Sequence, residues 1–187
     1  MTRSTMLVLA AVALAGCSLG RTLPHIRYYT LAIPAAPATR LDAPVHVGAI
    51  TSDQPYATER VAYRSSPYQL DYYTYHRWAA DPRELVRTVM RDYFERAGGT
   101  GGVPFEIQGN IRRLEEVDDP AGWRGALELD VRVTRGGAVL VERTFSETEP
   151  AESRRPEAIA AALSRALQRI LDQVLAEAAR ARGPVAR

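Results

Sequence analysis

The chain has 187 residues, of which 25% are charged and 46% hydrophobic, the proportions of a globular protein of ordinary size. A formal charge of +2 excludes the electrostatic footprint of a nucleic-acid binder, and a single cysteine excludes an intrachain disulfide. All 24 basic residues are arginine, which we read with the abundant alanine as compositional bias rather than chemistry.

The N-terminus carries Arg3 followed by nine apolar residues, Met6 to Leu14. A helix needs ~20 apolar residues to cross a bilayer, so this run reads as the hydrophobic region of a signal peptide. Leu14-Ala15-Gly16-Cys17 then looks like the lipobox of bacterial lipoproteins. Small residues admit the peptidase, and the thiol of Cys17 accepts the diacylglycerol. An ordinary signal followed by a free cysteine is the competing reading. Cleavage before Cys17 leaves 171 residues, and acyl chains on that residue anchor the protein, each buried CH₂ contributing ~0.8 kcal/mol. The expected organisation is a signal peptide over 1–16, acylated Cys17 and tether over 17–25, one domain over 26–180 and a flexible tail over 181–187.

Ile26 to Leu31 is rich in β-formers and predicts a first strand, ended by Pro34 and an Ala/Pro/Thr linker to Pro44. Val45 to Ile50 predicts a second. Glu59 to Arg64 and Tyr68 to Tyr73 predict a hairpin, turning at Ser65-Ser66-Pro67. Asp81-Pro82-Arg83-Glu84 is a helix start, with Asp81 as cap and Pro82 in the first helical position. Leu85, Val86, Val89, Met90, Tyr93, Phe94 and Ala97 form one apolar helical face, ended by Gly98-Gly99.

Phe105 to Val117 predicts a long strand, and 118–122 a turn. Leu127, Leu129, Val131 and Val133 alternate with polar residues, the clearest half-buried strand in the chain. Gly136-Gly137 turns it into a partner containing Val139, Val141 and Phe145. Ile159, Leu163, Ala166, Leu167, Ile170, Leu171, Val174 and Ala178 mark a last helix over about 156–180. The expected fold is α+β: a mostly antiparallel sheet with two amphipathic helices on one face.

Little in the chain invites chemistry. Three scattered histidines, His25, His46 and His76, do not make a metal site, and neither a nucleophile elbow nor a Walker loop is present. The protein is therefore expected not to be an enzyme and to need no cofactor beyond the covalent lipid on Cys17. Glu115, Glu116, Asp118 and Asp119 are expected to be a solvated turn rather than an acid/base pair. Tyr63, Tyr68, Tyr72, Tyr73, Tyr75 and Trp78 concentrate aromatic side chains beside Arg60, Arg64 and Arg77. Sheet packing and a protein or lipid contact surface are both open for this group, and export argues against nucleic acid. Tyr72, Tyr73, Tyr75 and Trp78 are the candidate contact residues.

The lipobox, Tyr28-Tyr29-Thr30-Leu31, Val45-His46-Val47-Gly48 and Tyr75-His76-Arg77-Trp78-Ala79 together, in this order and spacing, resemble the ABC-type transport auxiliary lipoprotein family. This is the family of the paraquat-inducible lipoprotein that accompanies mammalian-cell-entry (MCE) type lipid transporters. The resemblance implies a non-catalytic docking or conduit component, partnered by an MCE-domain protein, an ABC permease and an ATPase. A homo-oligomeric ring is one form such a conduit takes. It also brings a sorting rule by which Ser18, after Cys17, favours the outer membrane, facing the periplasm. The segment Trp78-Ala79-Ala80-Asp81-Pro82 has one residue more than the Trp-Ala-Glu-Pro of many relatives. A structural lipoprotein of another envelope assembly, for secretion or lipopolysaccharide export, is the alternative.

Overall fold

A computed structural model describes residues 24–120 and 122–181. Cys17, Ser18 and the rest of the signal and lipobox lie outside the described residues, as do 182–187 of the expected tail. Seven strands and two helices follow in the order β1 (Arg27–Tyr29), β2 (Val45–Ser52), β3 (Arg60–Ser66), β4 (Gln69–Trp78), α1 (Pro82–Ala97), β5 (Phe105–Asp119), β6 (Gly122–Arg135), β7 (Ala138–Pro150) and α2 (Pro156–Arg180). A short 3-10 turn, Gln54–Tyr56, joins β2 to β3.

The strands form one mixed sheet in the order β1-β4-β3-β5-β6-β7. Its longest ladders, β5 with β6 and β6 with β7, are antiparallel, as is the β3–β4 hairpin. Three pairings are parallel: β1 with β4, β2 with β5 and β3 with β5. One edge of β5 is shared between two strands, β2 along Phe105 to Ile111 and β3 along Glu115 to Val117. The α+β architecture expected from the alternating patterns is therefore present, with parallel pairings made by the N-terminal strands.

Local chemistry explains where the elements start and stop. The Asp81 carboxylate accepts from the Arg83 amide at 2.9 Å, Pro82 opens α1, and the Gly98 amide closes it on the Phe94 carbonyl at 2.8 Å. The β6–β7 turn needs two left-handed residues in succession, and Gly136 and Gly137 supply them at φ +56° and +84°. α2 has no side-chain cap and owes its place to packing: all eight residues of its predicted apolar face are buried.

Both helices contribute to a single core with Phe105, Ile107, Ile111, Leu127, Leu129 and Phe145 of the sheet. The Tyr93 hydroxyl of α1 donates to Asp172 of α2 at 2.5 Å, tying the two together. Ser164 does the same for the N-terminal linker: its hydroxyl donates to the Ala160 carbonyl at 2.7 Å and accepts from the Ala32 amide at 3.1 Å. At Gly125 the sheet and α2 approach so closely that an added Cβ would stand 2.9 Å from the Leu163 amide nitrogen.

Several predicted boundaries move: β1 is shorter than the expected Ile26–Leu31, β2 runs two residues past Ile50, and β3 takes in Ser65 and Ser66 of the expected turn. β4 runs on to Trp78 instead of ending near Tyr73, because its far half gains partners from β1, with Tyr29 opposite Trp78. β5 runs on to Asp119, two residues into the expected turn, because β6 pairs with it as far as Gly122.

Candidate functional site

The aromatic group occupies β3, β4 and, at Tyr68, the turn between them, and the strand members are divided between the two faces of the sheet. Tyr63 and Tyr73 lie 4.8 Å apart between ring centroids, and Tyr73 meets the His76 ring edge-on at 5.3 Å. His76 Nδ1 shares a 2.7 Å hydrogen bond with the Tyr29 hydroxyl, which extends the row onto β1. Tyr72 donates to the Pro55 carbonyl at 2.8 Å and lies under the Arg60 guanidinium. Tyr72 and Tyr73 are thus half-buried and engaged within the fold, while Tyr75 is 40% exposed. Trp78, one of the four candidate contact residues, is corrected: it is 2% exposed and sits in the core, where the extended β4 pairs it with Tyr29 of β1.

A second correction concerns the acidic stretch. Glu115 and Glu116 are not solvated; both are fully buried within β5. A bulge between Ile111 and Arg113 shifts the alternation by one, so that Leu114 and Glu116 take the core face of Phe105, Ile107 and Ile111, while Glu115 turns to the opposite face and is buried against Tyr56 and Arg64. Small neighbours leave room for the carboxylates and their partners: Ala62 and Ala126 flank Glu115 across the sheet, and Gly125 pairs with Glu116.

Adjacent residues of a strand point to opposite faces, and the two carboxylates accordingly have separate partners. Glu115 accepts from the Tyr56 hydroxyl at 2.7 Å, from Arg64 at 2.8 and 3.2 Å, and from Arg113 at 2.6 Å. Glu116 accepts from the Tyr73 hydroxyl at 2.7 Å, and its other oxygen has only an ion contact with Arg154 at 3.6 Å. Arg154 also reaches Asp118 at 3.4 Å.

The environments shift the two acids in opposite directions. Burial pushes the Glu115 carboxyl up, but the hydrogen bonds from Arg64 and Tyr56 and the charge of Arg113 outweigh it and hold the group below its ordinary range. Burial dominates at Glu116, where the Tyr73 bond and Arg154 offset it only in part, and the carboxyl is raised. Tyr56 and Tyr73 are each pushed up to about 12, first by burial and then by the carboxylate each donates to. Neither acid is placed as half of a catalytic pair, since the sheet separates them. Their geometry fits a structural clamp, with Glu115 fastening the 3-10 turn and β3 to β5, and Glu116 fastening β4 and the loop before α2.

Among the described residues no group of three or more His, Cys, Asp and Glu side chains is arranged to hold a metal ion. His46 contacts Glu106 at 3.0 Å. A groove of 580 Å³ lies between the N-terminal segment and α2, lined among others by Tyr28, Ala32, Pro34, Ala160, Ala161 and Ser164. On the solvent face of the sheet, a 360 Å³ cleft is lined by Gln108, Asn110, Asp130, Arg132, Glu142 and Thr144, whose side chains include the pairs Thr144 to Asp130 and Arg132 to Glu142. Sequence reasoning missed Tyr56, Arg113, Trp123 and Arg154. The only signal was the pair of glutamates inside a stretch otherwise patterned as a strand.

Comparison with known proteins now bears on this geometry. A family model described as the ABC-type transport auxiliary lipoprotein component matches residues 29–175. A crystal structure of a Xanthomonas campestris protein of the DUF330 family superposes with a TM-score of 0.64 at 20% identity, covering 83% of this chain and 96% of that one. A crystal structure of an uncharacterized protein has a TM-score of 0.61 at 13% identity, covering 84% of this chain and 98% of that one. At these identities the likeness concerns the fold. No curated protein matches the chain.

Proposed function

The chain belongs to the ABC-type transport auxiliary lipoprotein family, and from that membership we propose that it is the lipid-anchored periplasmic auxiliary component of an MCE-type lipid transport system. It acts by binding rather than by bond-making. In this reading Cys17 carries the acyl chains, Ser18 directs the protein to the outer membrane, and the folded domain docks an MCE-domain protein whose permease and ATPase supply the energy. The cargo is phospholipid or another hydrophobic molecule, handed on directly or through a ring of identical subunits.

The observation that carries the reading is the span of the family match, which runs from Tyr29 in β1 to Leu175 in α2 and so takes in every element of the domain. The buried acids support the non-catalytic part: Glu115 spends its carboxylate within the fold on Tyr56, Arg64 and Arg113, and Glu116 gives one oxygen to Tyr73 and the other to an ion contact with Arg154. Tyr75 is the exposed member of the aromatic group in β4 and our candidate for a partner contact.

The test is capture of the mature lipoprotein from detergent-solubilised membranes. An MCE-domain protein returned together with its permease supports the function. A monomer recovered alone in several detergents, or one recovered with secretion or lipopolysaccharide-export components, overturns it.

A further inference from the structure

Two hairpins of the sheet turn at the same end. β3 runs parallel to β5, with Arg64 beside Val117, so the β3–β4 tip at Pro67-Tyr68 and the β5–β6 tip at Pro120 lie next to each other. Each carries an exposed aromatic ring. Tyr68 is 98% exposed, and Trp123, the second residue of β6, is 38% exposed. The exposed large aliphatic residues, Val103 and Val139, lie at the opposite end beside the Gly136 turn.

Tyrosine and tryptophan at adjacent tips are the side chains that favour a membrane interface, with an apolar ring and a polar handle. Two arginines near these tips are paired with acids of the sheet, Arg64 with Glu115 and Arg154 with Glu116 and Asp118. Exposed rings together with paired charges are what this end offers, and a zwitterionic phospholipid surface is the matching partner.

The course of the chain agrees. β1 is parallel to β4 and begins opposite His76, so the polypeptide enters the sheet from the side of the tips. Gln69, at the tip, is seven residues back along β4 from His76, a distance of about 24 Å at ~3.4 Å per residue. The ten residues from Cys17 to Arg27 span up to about 35 Å when extended. A lipid on Cys17 can therefore enter the same membrane plane that the tips reach.

We propose that the end of the sheet bearing Tyr68 and Trp123 rests in the headgroup layer of the membrane holding the lipid anchor. The strands then stand away from the bilayer, and the β6–β7 turn points outward. This rests on acylation of Cys17, the anchoring part of the proposed function.

The chain has two tryptophans, and the buried Trp78 serves as an internal reference for Trp123. The mature lipoprotein is reconstituted into phosphatidylcholine vesicles, with and without lipid brominated on the upper acyl chain. Flotation reads anchoring, and the difference from Trp123→Phe isolates the Trp123 emission. Bromination is expected to quench that emission by about half or more while Trp78 is unaffected, and Tyr68→Ser is expected to weaken the quenching without loss of flotation. Protein that floats with Trp123 unquenched overturns the docking and leaves anchoring intact. This holds whether acrylamide reaches Trp123, as for a tip in solvent, or does not, as for a tip covered by protein. Protein that does not float overturns the anchoring and the docking with it.

Discussion

Glu115 and Glu116 are consecutive in β5, yet their carboxylates lie on opposite sides of the sheet, each under a tyrosine hydroxyl at 2.7 Å. They differ in compensation. Glu115 receives two arginines at hydrogen-bonding distance, whereas Glu116 has one arginine at 3.6 Å. A buried charge is tolerable to the extent that it is paired and hydrogen-bonded, so the first acid is held as a carboxylate and the second is biased towards its neutral form.

Replacing Glu115 by glutamine keeps an acceptor for Tyr56 but leaves Arg64 and Arg113 facing a neutral group. Breaking a buried pair from one side costs about 3 kcal/mol, and urea unfolding of Glu115→Gln is expected to show a loss of that order. Glu116→Gln retains the Tyr73 bond and gives up a longer contact to a half-exposed arginine, for which a loss below about 1 kcal/mol is expected. Equal losses would refute the unequal compensation.

The same pair makes a prediction about pH. The folded state binds a proton at Glu115 less tightly than the unfolded chain does. Its stabilisation is therefore present above the ordinary value of 4.5 and is lost as pH falls below it. Glu116 has the opposite sign. Its folded pKa is raised, so its contribution is complete below 4.5 and is lost as pH rises through the raised value. Unfolding midpoints between about pH 4 and pH 7 should thus show the deficit of Glu115→Gln shrinking on the acid side, and Glu116→Gln gaining on the wild type towards neutrality. Parallel profiles for the two variants would contradict the assignment.

The two helices were legible because their causes are local. Asp81, Pro82 and a one-sided apolar stripe lie within a few turns of one another, and α1 begins where they say. The alternation of Leu127 to Val133 was equally readable, all four residues being buried in β6. Glu115 was not legible, since Tyr56 and Arg64 come from 59 and 51 residues away and the bulge that decides which face it takes has no local signature. Trp78 failed for a related reason: an aromatic residue before a helix cap reads as surface or core alike, and the core that takes it in is built from elements distant in sequence, β1 beside it among them.

Packing of α2 on β6 gives a sharper test than the acids do. A Cβ on Gly125 would stand 2.9 Å from both the amide nitrogen and Cγ of Leu163, and the amide cannot yield without moving the helix. Gly125→Ala is expected to destabilise by about 1–3 kcal/mol, as overpacking does. Gly101→Ala meets nothing within 4 Å and should stay within about 0.5 kcal/mol of the wild type. Thermal unfolding of the two variants side by side checks the contrast, and a neutral Gly125→Ala would show that the helix is seated less closely.

Tyr75 and Trp78 separate packing from partner binding within one strand. Trp78 is part of the core, and Trp78→Ala is expected to cost about 3–5 kcal/mol in stability. Tyr75 is exposed, so Tyr75→Ala should change stability by no more than about 0.5 kcal/mol. If its ring is a contact of the MCE-domain partner, that same variant should weaken capture of the partner by about fivefold or more, the effect of losing over 1 kcal/mol at an interface. Stability and capture measured on the same preparations distinguish the cases: a folded Tyr75→Ala that captures the partner at full strength removes Tyr75 from the interface, while a loss of capture by Trp78→Ala is explained by its unfolding.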